Sequence, residues 1–197
     1  MKTRKLFLAF SALVFLCNAY AIKELSEIDV VGTSLLPGLE IEEEKLPYEV
    51  QSFGSEKIGN ESSLGITDFI NQSIPGVFTN EVQGSPYQGD ITFRGFRASS
   101  ILGAAQGLSV YIDGIRINEP FGDIVNWDMI PEFALDNVSL IPGSNPMYGL
   151  NTLGGALSMT SKSGLSHPGK VARISIGSFN RNKVDVSIGG EFSGDQG

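Results

Sequence analysis

The chain has 197 residues, 14 basic and 22 acidic side chains for a net charge of −8, 24 glycines and a single cysteine. Residues 1–21 hold Lys2, Arg4 and Lys5 and no acid, so the remainder carries −11; that excludes a sequence-nonspecific nucleic-acid binder, whose phosphate contacts need clustered Lys and Arg. A composition of 41% hydrophobic and 18% charged residues is not that of a disordered chain, and the high glycine share points to tight turns and close backbone approaches rather than a helical bundle.

The N-terminus reads as an export signal. Lys2, Arg4 and Lys5 form a positive head, residues 6–16 an apolar run, and Ala19-Tyr20-Ala21 a small-x-small cleavage site ending at Ala21. A run of this length makes a helix of only about 16 Å, against a hydrocarbon core of about 30 Å, so a transmembrane anchor is disfavoured. A lipoprotein signal needs a small residue before Cys17, where Leu16 stands. Cleavage after Ala21 leaves 176 residues without cysteine, so neither disulfides nor thiol chemistry are expected and stability rests on packing.

Residues 22–33 follow, with the short, β-branched centre Glu27-Ile28-Asp29-Val30-Val31-Gly32, the profile of an extended segment. Residues 35–45 carry Pro37, Gly38 and four glutamates and read as a solvated linker. From Tyr48 the pattern becomes that of a compact unit. Residues 48–53 read as a strand. Ser62-Ser63-Leu64 opens a helical pattern with Leu64, Ile66, Phe69 and Ile70 on one face, closed by Pro75-Gly76. Strands are expected over 77–82, 90–96, 108–112 and 115–118, the last two around the turn dipeptide Asp113-Gly114. A helical turn is expected within 124–130 and further strands over 138–141 and 156–160. Short strands with one or two helices predict an α/β or α+β domain over residues 48–162. Beyond it, Ala172, Ile174 and Ile176 alternate with Arg173, Ser175 and Gly177, and Val184, Val186, Ile188 and Phe192 with Lys183, Asp185, Ser187 and Glu191. Such a pair of strands fits a half-buried hairpin or the opening of a membrane β-barrel.

Enzymatic signals are weak. Residues 149–156 have the glycine spacing of a phosphate-binding loop, but Gly155-Ala156 stand where Lys-Ser/Thr must be. No nucleophile–base pair is visible, and His167 lies in a Ser/Pro/Gly linker. With one His and no cysteine after cleavage, a soft-metal site is not expected, nor any other cofactor. The three formal glycosylation sequons carry little weight. Phe93-Arg94-Gly95-Phe96 places a cation at a strand end, and a buried Arg there would need a carboxylate partner.

In their order these motifs resemble the plug region of TonB-dependent outer-membrane receptors. The resemblance rests on Ile91-Thr92-Phe93-Arg94-Gly95-Phe96, on Val110-Tyr111-Ile112-Asp113-Gly114-Ile115, and above all on residues 148–162, which open on Tyr148-Gly149, pass through Gly154-Gly155 and close on Thr160-Ser161-Lys162. It implies an α+β plug domain, a small mixed sheet with short helices, followed by the first one or two strands of a transmembrane β-barrel. The implied order is a signal peptide (1–21), a TonB box and linker (22–47), the plug (48–162) and the first barrel strands (163–197). Glu27, Ile28, Asp29, Val30, Val31 and Gly32 sit where the family carries its TonB box. Arg94 matches the plug arginine that pairs with barrel carboxylates, whereas Leu140-Ile141-Pro142-Gly143 lacks the family's second arginine. Residues 83–90, 97–107 and 118–126 would be apical loops, with Tyr87, Arg97, Phe121 and Trp127 as ligand contacts. The implied function is energy-coupled uptake of a scarce ligand such as a ferric siderophore, with TonB as partner, the outer membrane as location and no enzymatic activity.

A barrel of about 22 strands needs far more chain than follows Lys162. The expectation is therefore a fragment of a longer receptor or the product of an interrupted gene. The alternatives are a barrel-less periplasmic binding module without transport activity, or an exported hydrolase of unknown type.

Overall fold

The computed structural model describes residues 49–60, 63, 65–81, 89–99, 106–144, 148–178 and 180–190. The export signal, the segment Glu27 to Gly32, the acidic linker and Tyr87 lie outside the described residues.

Strand β1 (Gln51–Gly54) runs directly into a short helix α1 (Ser55–Asn60), then α2 (Ile66–Ser73) and β2 (Val77–Glu81). Next come β3 (Gly89–Phe93), β4 (Phe96–Arg97), β5 (Leu108–Ile112), β6 (Ile115–Arg116), β7 (Leu135–Pro142) and β8 (Gly155–Ser161), with single 3-10 turns at Trp127–Met129 and Glu132–Ala134. The chain closes on β9 (Gly169–Gly177) and β10 (Arg181–Gly189). Helix α1 has no counterpart among the elements expected from sequence, because a six-residue segment containing Gly59 and one buried apolar residue, Ile58, is too short to show a period. Helix α2 begins at Ile66, not at the serines before it. Ser63 is no cap; its hydroxyl donates to Glu132 Oε1 at 2.6 Å.

The main sheet has the order β1-β7-β8-β5-β6, antiparallel except for the parallel pair β5/β8. It is the expected small mixed sheet. Alternation along its strands feeds two apolar layers. Val110, Val138, Leu140, Leu157 and Met159 face α2, whose Ile66, Phe69 and Ile70 lie one turn apart on a single buried stripe. Tyr111, Ile141 and Ala156 point the other way and pack with Val50 and Tyr148. A smaller antiparallel sheet, β2-β3-β4, adds Val77, Ile91 and Phe93 to the first layer.

Two hairpins use the same device. Phe93 pairs with Phe96 across Arg94 (φ 50°) and Gly95 (φ 85°), and Ile112 pairs with Ile115 across Asp113 (φ 50°) and Gly114 (φ 78°). Two successive left-handed residues match the twist of the flanking strands, and a glycine second keeps the cost low. Residues 90–96 are thus not one strand ending at a glycine, as the alternation suggested, but a hairpin with Arg94 at its tip. Among the described residues no helix is long and apolar enough to cross a membrane, which says nothing of strands.

Candidate functional site

Because β5 and β8 run parallel while β6 and β7 oppose them, the start of β5 and β8 and the end of β6 and β7 meet at one end of the sheet. The described residues that follow Arg97, Arg116 and Pro142 gather there. Asn118 joins them from a buried position: its Oδ1 accepts from Val110 N at 2.8 Å, and its Nδ2 donates to Ala98 O at 3.0 Å. Ser99 Oγ accepts from Val125 N at 3.1 Å. Arg116 spans two loops, donating to Leu150 O at 3.1 Å and to Asp123 Oδ1 at 3.0 Å, while Asn151 Nδ2 reaches Asp123 Oδ2 at 2.8 Å. Between these loops opens a shallow cavity of about 590 Å³ lined by Gln106, Arg116, Asn118, Glu119, Asp123 and Asn151.

The glycines at this end are required by close approach. The ring of Phe96 lies between Gly107 and Gly154; a Cβ on Gly107 would stand 2.5 Å from Phe96 Cδ1, and one on Gly154 2.7 Å from Phe96 Cβ. Gly155 has φ 145°, and a Cβ there would meet Ile141 O at 2.5 Å. The resulting backbone contacts are direct, with Gly154 N donating to Gly107 O at 2.8 Å and Gly143 N to Gly154 O at 3.2 Å. Tyr148 is buried, and its carbonyl accepts the phenol of Tyr111. Burial pushes the Tyr111 hydroxyl above its ordinary 10.0, against the opposing pull of Arg116 and a hydrogen bond to Ser109.

At the other end of the sheet, Asp113 accepts from Ser161 N at 2.7 Å and Ser161 Oγ at 2.8 Å, locking the second hairpin turn to the end of β8. His167, which shows no evident partner in the sequence, meets Ser55 Oγ through Nε2 and Ser166 Oγ through Nδ1, each at 3.0 Å. Asp136 Oδ1 also lies on the Nε2 side, at 3.4 Å. Ser55 and Asp136 share one ring nitrogen, so this is not a serine–histidine–aspartate relay, which needs them on opposite nitrogens. Lys162 donates to Phe133 O at 2.9 Å. Burial, together with the charge of Arg173, lowers the Lys162 ammonium from 10.5, with Asp136 opposing. Among the described residues no group of three or more His, Cys, Asp or Glu is placed to hold a metal.

The β9–β10 hairpin has inverted polarity. Its register pairs Ile174 with Val184 and Ala172 with Val186 on one face, and Ser175 with Lys183 and Arg173 with Asp185 on the other. The polar face turns inward: Arg181 Nη2 donates to Ser63 O at 2.7 Å, and Lys183 Nζ stands 3.6 Å from Glu132 Oε2. The apolar face is outside, with Ile174 73%, Ile176 81% and Ile188 68% exposed.

The family model described as TonB-dependent Receptor Plug Domain matches residues 42–156. The chain belongs to the TonB-dependent receptor plug family. Solved structures agree in fold. The ferric-catecholate import receptor Fiu from E. coli K12, in its open form, matches with a TM-score of 0.51 and 27% identity over 76% of this chain and 20% of that one. The siderophore receptor PiuA from Acinetobacter baumannii matches at 0.51 with 22% identity over 71% and 18%. FpvA of P. aeruginosa, bound to a heterologous pyoverdine with iron, matches at 0.55 with 16% identity over 73% and 18%. The chain thus spans about a fifth of the length of these receptors. No curated protein matches it in sequence.

Within the plug, the residues singled out from sequence have distinct placements. Arg94 is exposed at its hairpin tip with its guanidinium 4.9 Å from the Phe93 ring centre, and it forms no ion pair among the described residues. Arg97, by contrast, has a carboxylate partner within the plug: its Nε donates to Asp90 Oδ2 at 2.9 Å. Trp127 is buried in the main core, and Phe121 is 94% exposed on the loop braced by Arg116 and Asp123. Gly149 (φ 75°) shapes the turn after Tyr148. The bridging roles of Asn118, Arg116, Asp123, Ser63 and Glu132 are not evident from the sequence. Their only sequence signal is an isolated polar residue at a strand end or loop, which many exposed residues share.

Proposed function

We propose that this plug works within a TonB-dependent outer-membrane receptor, in energy-coupled uptake of a scarce ligand such as a ferric siderophore, and that β9 and β10 are the first strands of the surrounding barrel. The observation that carries this reading is the polarity of the hairpin. A strand pair of a water-soluble domain buries its apolar face; this one lays its charged face on the plug and offers the apolar one outward, which suits a wall between a filled lumen and lipid. Fiu, named as a ferric-catecholate import receptor and 27% identical to this chain, supports a ferric ligand. In this reading residues 1–21 direct export and are removed after Ala21. The alternative, a barrel-less periplasmic module, leaves the outward apolar face without a role.

The outward face is tested by Ile174→Arg in cells. A charge at mid-strand on a lipid face costs about 2 kcal/mol or more, so the variant is expected to leave the outer-membrane fraction, whereas Lys170→Glu at the strand end stays. Equal outer-membrane recovery of Ile174→Arg and wild type would sink the barrel assignment.

The segment Glu27 to Gly32 is the proposed TonB contact. Ile28, Val30 and Val31 in an extended stretch can add as a strand to a partner's sheet edge, where backbone hydrogen bonds supply grip with little side-chain demand. Val30→Pro removes one donor and fixes φ, and is expected to abolish both cross-linking to TonB and growth on the ferric siderophore. Retention of both would refute the assignment.

A further inference from the structure

The cavity of about 590 Å³ at the Arg116 end of the main sheet has a definite charge: Arg116 is set against Glu119 and Asp123 in its lining. The cation is already committed. Arg116 Nη2 lies 3.0 Å from Asp123 Oδ1, Nη1 donates to Leu150 O at 3.1 Å and Nε to Asn118 Oδ1 at 3.4 Å. Arg97, at the same end, is held by Asp90 at 2.9 Å. Glu119 is exposed and forms no ion pair among the described residues; Asn126 Nδ2 donates to its Oε1 at 2.5 Å. Residues 82–88, 100–105 and 145–147, which complete the connections between these strands, contain no Lys, Arg, His, Asp or Glu, so they add no charge to this face.

A polyanion brought to this surface sheds water without gaining a free guanidinium or ammonium, and it meets the Glu119 carboxylate besides. An uncharged ligand finds groups suited to it. Gln106 lines the cavity, and its buried Nε2 has no hydrogen-bond partner among the described residues, so it is a donor open to a carbonyl or hydroxamate oxygen. Leu150, 81% exposed, lines the same cavity, and Phe121 stands exposed between the lining residues Pro120 and Gly122. Hydrogen-bonding groups with an apolar rim and no uncommitted cation suit an uncharged ligand with both polar and apolar surface.

We propose that Glu119 makes this face of the plug selective by charge, and that the ferric ligand it meets is an uncharged chelate of the tris-hydroxamate kind, not a polyanionic tris-catecholate. Three hydroxamate groups balance the charge of iron(III), whereas three catecholates exceed it. The inference rests on the uptake reading above and narrows its ligand.

The experiment is equilibrium dialysis of the purified full chain against two probes, with far-UV circular dichroism on each variant. The probes are ferrichrome, an uncharged tris-hydroxamate chelate, and ferric enterobactin, a tris-catecholate trianion. The wild type is expected to bind ferrichrome about tenfold more tightly than the trianion at low salt. Glu119→Lys is expected to move the ratio of the two dissociation constants toward the trianion by about tenfold, and Glu119→Gln, which keeps an acceptor for Asn126, by about threefold. Both shifts should fade in about 1 M sodium chloride, where charges are screened within a few ångströms. Glu56→Lys, an exposed charge reversal on α1, is expected to leave the ratio unchanged. A wild type that binds both chelates equally, or folded Glu119 variants that keep the wild-type ratio, overturns the charge selection and leaves the uptake reading standing. Should Glu119→Lys not fold, Glu119→Gln decides alone. A chain that binds neither chelate overturns the uptake reading and the charge selection together.

Discussion

Arg97→Ala is expected to be among the most destabilising single substitutions in the plug, lowering the unfolding free energy by about 3 to 5 kcal/mol. Asp90 is 2% exposed and Arg97 18%, with Nε and Oδ2 2.9 Å apart. The other carboxylate oxygen of Asp90 has no hydrogen bond among the described residues, so the guanidinium is the principal compensation for a charge held out of water. Removing the cation leaves that charge stranded in a low-dielectric setting, where desolvation is no longer offset. The same argument predicts the rescue. Arg97→Ala combined with Asp90→Asn removes both charges and should recover most of the loss, since replacing a buried pair entirely costs far less than breaking it. Urea unfolding of the four proteins forms a double-mutant cycle. A cycle in which the two effects simply add, or an Arg97→Ala chain within about 0.5 kcal/mol of wild type, would show that the pair is solvated and the burial argument wrong.

Gly155→Ala is expected to cost about 2 to 5 kcal/mol, the sum of backbone strain and overpacking. Its φ of 145° is a conformation that L side chains rarely adopt, and the new methyl would press on Ile141 O, a ladder atom that cannot rotate away. Gly107→Ala meets a different obstacle, the far side of the Phe96 ring at 2.5 Å. The two therefore separate in a Phe96→Ala background: Gly107→Ala becomes nearly neutral because the ring atoms it strikes are gone, while Gly155→Ala keeps its full effect. Thermal or urea unfolding of the single and double variants checks both, and rescue of Gly155→Ala by Phe96→Ala would mean that the ring, not the Ile141 carbonyl, dictates that glycine.

The contacts probed by these substitutions differ in how far they reach along the chain, and so in how plainly the sequence announces them. Ile112-Asp113-Gly114-Ile115 is legible as a turn signal because a turn is set by four successive residues, whereas the apolar/polar alternation of residues 90–96 hides the turn at Arg94-Gly95. The link between Asp90 and Arg97 is not legible either, since it depends on the first hairpin folding back so that Ala98 N meets Ile91 O at 3.0 Å. The sequence draws attention to Arg94, at the hairpin tip, whereas the arginine with a carboxylate partner within the plug is Arg97. Trp127, expected to touch ligand, is core because the 3-10 turn at Trp127–Met129 packs it among the apolar residues of the first layer. Nothing within that turn distinguishes an inward from an outward tryptophan. Asn118 follows the same logic: its backbone partners come from Val110, Leu108 and Ala98, and only the finished sheet brings them to one side chain.

The order of residues along the chain is enough to specify the local grammar of this protein: the Asp113-Gly114 turn, the apolar stripe of α2 and the strict two-residue alternation of β9 and β10. Those follow from steric and periodic rules that act within a few residues. Packing in three dimensions settles which face of the last hairpin meets the plug, which arginine holds the buried carboxylate, and that Glu132 faces Lys183 across a seam. Alternation is symmetric with respect to inside and outside. It specifies that two faces differ and leaves the choice between them to whatever lies against each, and here the buried Glu132 and the Ser63 carbonyl draw the cations in and leave the aliphatic side chains out.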